Sequence, residues 1–402
     1  MHSLSARLES IQESATIAMA AKAREFKARG IDVISLSLGE PDFRTPAHIC
    51  EAAKKAIDEG KYFAYPPVPG YADLREALAN KYNKENEVPY KAENIVVSNG
   101  AKHSIANAML ALINPGDEVI VFSPYWVSSE ALVKLAEGVP VFVKGSLEND
   151  FKVTADQVSE AITSKTRAII YSSPCNPTGS VFSRSELEAI AKVVSAHENI
   201  IVIADEIYEH INFTGEQVSM ASLPGMFERT ITVNGFAKGF AMTGWRVGYI
   251  GAPKWIANGC NKIQGQLTSA NCSIAQRAAL AAITGDMGPT MKMVAEYRKR
   301  RELVYKLLQE IPGLATNYPE GAFYFFPDIS NFIGKSNGKG PINNADDLCM
   351  YLLEKAHVSL VPGGAFGEEN CLRLSYAASK EDLRQALKRM KESLAELESV
   401  NV

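Results

Sequence analysis

The chain has 402 residues, of which 46% are hydrophobic and 22% are charged, with a formal net charge of −4 at pH 7. This composition is typical of a globular protein with a large core, and the length favours a large domain with a smaller companion. The balanced charge gives no basic surface for nucleic acid, and residues 1–22, with charges throughout, predict neither a signal peptide nor a membrane span. The six scattered cysteines form no Cys-x-x-Cys pair, which disfavours a zinc site and a disulfide framework. We therefore expect a cytoplasmic protein without a metal and without a nucleic-acid or membrane partner.

Short apolar runs alternate with helical patterns from about Ile95 onward. The runs are rich in β-branched residues, which is typical of strands buried on both faces of a mainly parallel sheet. They lie at 95–97, 118–122, 139–143, 168–171, 200–204, 231–233 and 246–250. Between them the spacing is helical, and Ser183 with Glu186 has the pattern of a capping box. The sequence therefore predicts an α/β fold with helices on both faces of the sheet.

The last third of the chain has a different pattern. A long charged helix is predicted near 291–310, and short strands then mix with two further helices. Such a mixture predicts a smaller α+β domain. We place the large domain at 46–285 and the small domain at 1–45 together with 286–402.

Polar or glycine-rich segments begin where buried runs end. These segments are 98–102, 123–126, 172–179, 205–208 and 234–238. In open α/β sheets, ligands bind beyond the carboxyl ends of the strands, so we expect the segments to converge on one crevice.

Two ionisable residues and a tyrosine in these segments can carry chemistry. A lysine amine such as that of Lys238 can form a Schiff base with a carbonyl, although most lysines are solvated surface residues. Asp205 ends an apolar run, so its carboxylate is expected to be buried and to need a partner such as a protonated pyridine nitrogen. A helix N-cap is the alternative role for Asp205. The Tyr208 hydroxyl, three residues on, can reach the same ring, although a packing tyrosine is the alternative.

Gly100, Ala101 and Lys102 open a predicted helix, where free backbone N–H groups and the helix dipole favour a phosphate. An ordinary strand-to-helix turn is the alternative. Arg246 adds a guanidinium suited to phosphate oxygens, and Trp126 offers a flat face for stacking on a ring.

Two further residues are candidates for substrate binding. Asn176 lies in a tight turn that is expected to aim its amide into the crevice. Arg373 lies inside an apolar strand and needs a carboxylate partner, which is either a structural ion-pair partner or the α-carboxylate of a substrate.

Several motifs in this order resemble the class I (fold type I) pyridoxal-phosphate (PLP) aminotransferases, above all the bacterial aspartate aminotransferases. The matching segments are 38–43, 123–128, 173–179, 204–210, 237–249, 321–324 and 373–377. The resemblance implies a large domain with a seven-stranded, mainly parallel sheet between helices, and a smaller α+β domain.

The resemblance also assigns roles around PLP. Lys238 is implied to bond covalently to the cofactor, and Asp205 to pair with its ring nitrogen. Tyr208 and Asn176 are implied to bond to the phenolic oxygen, and Trp126 to stack on the ring. The residues implied to surround the phosphate are Gly100, Ala101, Lys102 and Arg246. Arg373 is implied to hold the substrate α-carboxylate, with further substrate contacts from Gly39, Trp126, Asn176 and Lys102.

The family works as a homodimer with its active sites at the interface, and Tyr65 matches a tyrosine that reaches the phosphate of the neighbouring subunit. Two positions depart from the family pattern. Gly235 stands three residues before Lys238, where many members have a phosphate-binding hydroxyl. Lys102 stands where some members have threonine, and in the bacterial branch this lysine is implied to face the distal carboxylate of the substrate.

The resemblance implies a ping-pong transamination between an amino acid and a 2-oxo acid. Aspartate with 2-oxoglutarate, giving oxaloacetate and glutamate, is the expected reaction. Prephenate, aromatic or alanine donors remain open, as does another fold type I PLP enzyme such as a carbon–sulfur lyase. A PLP-fold regulator is disfavoured because the sequence contains no basic helix-turn-helix segment.

Overall fold

Helices and strands alternate along the chain in this computed structural model, which describes residues 4–336, 338 and 340–399. The helices are α1 (Ala6–Glu9), α2 (Ala15–Ala28), α3 (Ala47–Asp58), α4 (Ala72–Glu85), α5 (Ala101–Leu112), α6 (Ser128–Leu135), α7 (Ala155–Ala161), α8 (Arg184–Ser195), α9 (Lys254–Leu267), α10 (Ser273–Thr284), α11 (Gly288–Gln309), α12 (Ala345–Tyr351) and α13 (Lys380–Ala395). The strands are β1 (Ile34–Ser35), β2 (Ile95–Ser98), β3 (Glu118–Ser123), β4 (Val139–Lys144), β5 (Thr166–Ser172), β6 (Ile201–Asp205), β7 (Thr230–Gly235), β8 (Gly248–Gly251), β9 (Tyr324–Phe325), β10 (Lys335–Ser336), β11 (Val358–Ser359), β12 (Val361–Pro362), β13 (Leu372–Ser375) and β14 (Glu398–Ser399).

A seven-stranded sheet has the strand order β2-β8-β7-β6-β5-β3-β4. Strand β8 is antiparallel to both of its neighbours, and the other neighbouring strands are parallel. Each of the seven apolar runs forms a strand of this sheet, which confirms the predicted α/β class and the mainly parallel sheet. The prediction that every strand is buried on both faces is wrong for β4. Its residues Val139 and Phe142 are exposed because this strand lies at the edge of the sheet.

Alternation along the strands divides the core into two layers. Ile201 and Ile203 pack in one hydrophobic cluster with α5 and α9, whereas Val202 and Ala204 pack in another with α7 and α8. The predicted helices on both faces are therefore confirmed. No helix in the described ranges is long and apolar enough to cross a bilayer.

The N-terminal and C-terminal segments share one hydrophobic core. Strand β1 pairs in parallel with β11, and β12, β13 and β9 form a three-stranded antiparallel sheet. Residues from α2, α11, α12 and α13 pack on these strands. These contacts support a smaller α+β unit, but the boundaries at 45/46 and 285/286 stay a prediction.

Gly248 of β8 lies against the start of α5, where a Cβ atom would be 2.2 Å from the Ala101 nitrogen and 2.4 Å from the Gly100 carbonyl carbon. Because these are backbone atoms, a Gly248→Ala change should shift the helix start and lower the free energy of unfolding by ~1–3 kcal/mol. The matched control is Gly259→Ala in α9, where the nearest atom, the Ala111 Cβ, is 3.5 Å away. The free energy of unfolding of the control variant should be unchanged or higher by ~0.5–1 kcal/mol. Urea unfolding followed by circular dichroism measures both, and equal midpoints for the two variants would contradict the close approach.

Candidate active site

The strand-end segments converge, as predicted, on one cavity of about 460 Å³. Each of the five segments contributes to its wall. The predicted site residues that line it are Gly39, Ala101, Lys102, Trp126, Asn176, Asp205, Tyr208, Lys238, Arg246 and Arg373. Gly100, the N-cap of α5, is not among the lining residues, but it directly precedes Ala101, which is. Tyr65 does not line the cavity, and its exposed fraction is 94%.

Asp205 ends β6 with its carboxylate buried in the cavity wall. Its Oδ1 accepts a hydrogen bond of 3.2 Å from the Ile207 backbone N–H. Burial raises the pKa of Asp205 to about 7, an effect that this bond and the charge of Lys238 only partly offset. The residues that follow form turns rather than an α-helix, so the carboxylate does not cap a helix.

The Lys238 side chain lies between Gly39 and two aromatic rings. Its amine donates a hydrogen bond to the Gly39 carbonyl oxygen and lies 5.7 Å and 5.8 Å from the ring centroids of Tyr208 and Phe323. The residue keeps some contact with solvent, but desolvation of its amine, with the nearby Arg373 charge, lowers the pKa of Lys238 to about 8. A fraction of the amines is therefore neutral at physiological pH.

The start of α5, beside the residues that precede β8, is chemically suited to an anion. Gly100 is the N-cap of α5 with a φ of +86°, and the first N–H groups of the helix have no partner within it. Arg246, at a φ of +55°, donates through Nη1 to the Thr243 carbonyl oxygen at 2.9 Å. A Cβ atom on Gly100 would lie 2.4 Å from Arg246 Nη2, so the guanidinium reaches this position only because residue 100 is glycine.

Arg373 is a buried cation that faces the cavity without a carboxylate partner among the described residues. Its Nη1 donates to Asn176 Oδ1 at 2.9 Å and its Nη2 to the Ser37 carbonyl oxygen at 2.6 Å, while its Nε has no partner in this part of the chain. The guanidinium also lies 4.6 Å from the ring centroid of Tyr324. The structural ion pair that the sequence left open is therefore not formed within the described residues.

Lys102 and Trp126 lie side by side on another wall of the cavity. The Lys102 Nζ is 5.1 Å from the Trp126 ring centroid. Desolvation and the Arg246 charge lower the pKa of Lys102. No carboxylate of the described residues forms an ion pair with this amine.

The comparisons with known proteins cover nearly the whole chain. Residues 31–390 match the family aminotransferase class I and II. A bifunctional aspartate aminotransferase and glutamate/aspartate-prephenate aminotransferase of Petunia hybrida is 47% identical over 98% of this chain and 83% of that protein. An aspartate/prephenate aminotransferase of Nitrosomonas europaea is 43% identical over 96% of this chain and 98% of that protein.

Solved structures agree with these relatives. The aspartate aminotransferase of Rhizobium meliloti is 38% identical and superimposes with a TM-score of 0.95 over 99% of this chain and 100% of that chain. The aspartate aminotransferase of Thermus thermophilus, solved with maleate, is 40% identical with a TM-score of 0.91 over 98% of this chain and 100% of that chain.

The chain belongs to the aminotransferase class I and II family. The fold type I architecture, the aminotransferase activity and the PLP cofactor expected from the sequence are thereby confirmed. The relatives' names favour the aminotransferase over the carbon–sulfur lyase and the regulator. The cavity of this aminotransferase fits PLP chemically, because one buried carboxylate, one lysine amine and one glycine-opened helix start line or border it together.

Some residues of the aminotransferase cavity were not among the predicted site residues: Thr16, Glu40 and Tyr324. The Tyr324 hydroxyl lies 2.7 Å from the Tyr208 hydroxyl, and the Thr16 Oγ1 is buried without a partner in the described part of the protein. Tyr324 and Glu40 lie in motifs that carry the family resemblance, so those motifs could have identified them as site residues. Thr16 lies in no such motif.

The departure at Gly235 has a steric reason in this aminotransferase. A Cβ atom on Gly235 would lie 3.0 Å from the Gly248 Cα and 3.0 Å from the Val247 carbonyl oxygen. A side chain with a hydroxyl therefore does not fit at this position unless β8 shifts.

Competitive labelling of the apoprotein with acetic anhydride tests the environment of Lys238. Since burial lowers its pKa to about 8, its reactivity should reach half of its maximum near that pH. An Arg373→Met variant removes a neighbouring positive charge and should raise the midpoint. A wild-type midpoint above pH ~10, the range of an unperturbed lysine, would contradict the described environment.

Proposed function

We propose that the enzyme transfers the amino group of aspartate to 2-oxoglutarate by a ping-pong mechanism. The observation that carries this proposal is that Arg373 and Lys102 both line the cavity without a carboxylate partner among the described residues. A dicarboxylic amino or 2-oxo acid supplies one carboxylate for each cation. The Thermus relative holds maleate, a dicarboxylate, and relatives in plants and bacteria are named aspartate aminotransferases.

The proposed cofactor contacts follow from the cavity wall. When bound, PLP withdraws electrons from the α-carbon of the substrate. Asp205 would hold a proton on the ring nitrogen, and the Tyr208 hydroxyl and the Asn176 amide would bind the phenolic oxygen. The start of α5, with Ala101 and Lys102, and the Arg246 guanidinium would hold the phosphate. Trp126 would contact the ring face.

Lys238 is the proposed proton carrier. A general base works best when its pKa lies near the working pH, and the value of about 8 for this amine meets that condition. Its Nζ takes the proton from the substrate α-carbon. Gly39, whose carbonyl accepts a hydrogen bond from this amine, orients it beside the substrate that Arg373 holds.

We further propose a homodimer with active sites at its interface. Tyr65 and Phe63 lie on one loop with exposed fractions of 94% and 71%. Aromatic residues are enriched at protein–protein interfaces relative to the rest of the surface. Tyr65 is proposed to reach the phosphate in the neighbouring subunit.

We also propose a cytoplasmic location, and a large domain at 46–285 with a small domain formed by 1–45 and 286–402.

Prephenate is a second candidate substrate. It carries two carboxylates and a hydroxyl, and relatives from Petunia and Nitrosomonas bear its name. The unpartnered Thr16 Oγ1 in the cavity wall supports a substrate with one more polar group than aspartate. Alanine and aromatic donors lack a second carboxylate and would form no ion pair with Lys102.

Replacement of Lys238 tests the proposed reaction. Lys238→Ala removes both the covalent anchor and the base, so kcat with aspartate and 2-oxoglutarate should fall at least ~10³-fold. Lys192→Ala, on the exposed side of α8, serves as the control and should keep wild-type rates. A coupled assay for oxaloacetate and glutamate measures the transfer, and wild-type turnover in Lys238→Ala would overturn the assignment.

A substrate panel on Lys102→Met tests the proposed dicarboxylate specificity. Loss of the cation should lower kcat/KM about 10-fold for aspartate, 2-oxoglutarate and prephenate, because one charge-assisted hydrogen bond is lost. The kcat/KM for alanine, which has no distal carboxylate, should change by less than about twofold. Equal losses for alanine and aspartate would contradict a role for Lys102 in selecting the distal carboxylate.

A further inference from the structure

Behind the turn that carries Asp205 lies a group of polar side chains that the proposed reaction does not use. We call it the rear cluster; its members are Lys81, Asn86, Glu206, Glu209 and Ser219. Each of these residues is less than a tenth exposed. A buried group of this size with two carboxyl groups and an ammonium has a large desolvation cost, so its presence requires a physical reason.

A continuous chain of hydrogen bonds joins the rear cluster. The Lys81 amine donates to both carboxylate oxygens of Glu209 and, at 2.7 Å, to Asn86 Oδ1. Asn86 Nδ2 donates to Glu209 Oε2 at 3.1 Å and to Ser219 Oγ at 3.1 Å. Ser219 Oγ in turn donates to Glu206 Oε2 at 2.6 Å. The chain therefore runs from α4 to the residue that follows Asp205.

The charges of the rear cluster balance within it. Burial raises the pKa of Glu206 to about 8, so this carboxyl group is mostly protonated at neutral pH. Although burial opposes it, the Lys81 ammonium leaves the pKa of Glu209 below its usual value. Two further groups face the pair: Glu85, 3.9 Å from Lys81 and half-exposed, and His210, 3.5 Å from Glu209. Lys81 is thus the cation that permits Glu209 to remain ionised.

The turn 205–210 places its side chains on two sides. Asp205 and Tyr208 line the cavity, whereas Glu206 and Glu209 enter the rear cluster. The Glu209 N–H donates to the Glu206 carbonyl oxygen at 2.9 Å, which closes the turn. A rotation of the turn that moved Asp205 or Tyr208 would therefore break the bonds of both glutamates.

The rear cluster also borders the segment that carries Lys238. His210, beside Glu209, packs on Gly239 so closely that a Cβ atom there would lie 2.6 Å from the His210 Cδ2. The His210 ring meets the Phe240 ring edge to face, with centroids 5.2 Å apart. The two segments that carry the proposed acid–base groups are thus held against each other.

We infer that Lys81 is a positioning residue of the transamination, because through the rear cluster it fixes the turn that aims Asp205 and Tyr208 at the cofactor. The inference rests on the proposed cofactor roles of those two residues and extends them to a lysine that contacts neither cofactor nor substrate. Stability alone does not explain the cluster, since a buried ion pair is commonly no more stabilising than an apolar pair of similar volume.

Two variants separate positioning from stability. Lys81→Met leaves Glu209 as an unpaired buried carboxylate and should lower the thermal midpoint. The double variant Lys81→Met with Glu209→Gln removes both charges, so its thermal midpoint should return most of the way to the wild-type value. The control is Lys254→Met with Glu93→Gln, which removes an exposed ion pair of 2.8 Å. Each protein is loaded with PLP, and the visible absorbance of the resting enzyme is titrated with pH before kcat and KM are measured.

The double variant should show an absorbance midpoint shifted by at least ~0.5 pH unit and a kcat about 10-fold lower, with the KM for aspartate within a factor of about two. The control should match the wild type in every reading. A double variant that recovers stability and also keeps the wild-type midpoint and kcat would overturn the inference alone. A wild-type protein that takes up no PLP would instead overturn the proposed function on which the inference rests.

Discussion

Asp205 and Lys238 carry ionisable groups in surroundings from which most water is excluded. Asp205 ends β6, and Lys238 follows β7, the parallel neighbour of β6. Desolvation moves the two pKa values towards each other, to about 7 and about 8. Groups poised near neutrality exchange protons at little cost, which suits acid–base chemistry. The same desolvation makes the pair unfavourable without partners, so the surrounding structure must hold the two groups in place and supply those partners.

The packing of the two parts of the molecule supplies much of what holds this pair. Lys238 donates to Gly39, which follows β1, and Arg373 of β13 is fixed by Asn176 and by the Ser37 carbonyl. The sheet thus contributes Asp205 and Lys238, and the smaller core contributes Arg373, the proposed partner of the substrate α-carboxylate. The cavity is complete only when both parts pack together, which explains why its wall draws on segments from every third of the chain.

Local pattern predicts those features whose cause is local. The β-branched runs predicted all seven strands of the sheet, and the position of polar segments at strand ends predicted where the cavity lies. Contacts between distant residues left no such signal. Lys81 lies on α4, where a lysine is ordinarily a solvated surface residue, yet it pairs with Glu209, 128 positions away. Tyr208 meets Tyr324 across 116 positions, a contact that the sequence did not predict.

The most direct test of the account is to find the lysine that bonds to the cofactor. The protein is loaded with PLP, reduced with sodium borohydride and digested, and the pyridoxyl-bearing peptide is located by mass spectrometry. The account predicts one modified residue, Lys238, because its partly buried amine lies beside the Tyr208 ring and has a pKa lowered to about 8, whereas Lys102 in the same cavity is exposed. Modification of Lys102 in its place, or a reduced protein without any pyridoxyl peptide, would contradict the account.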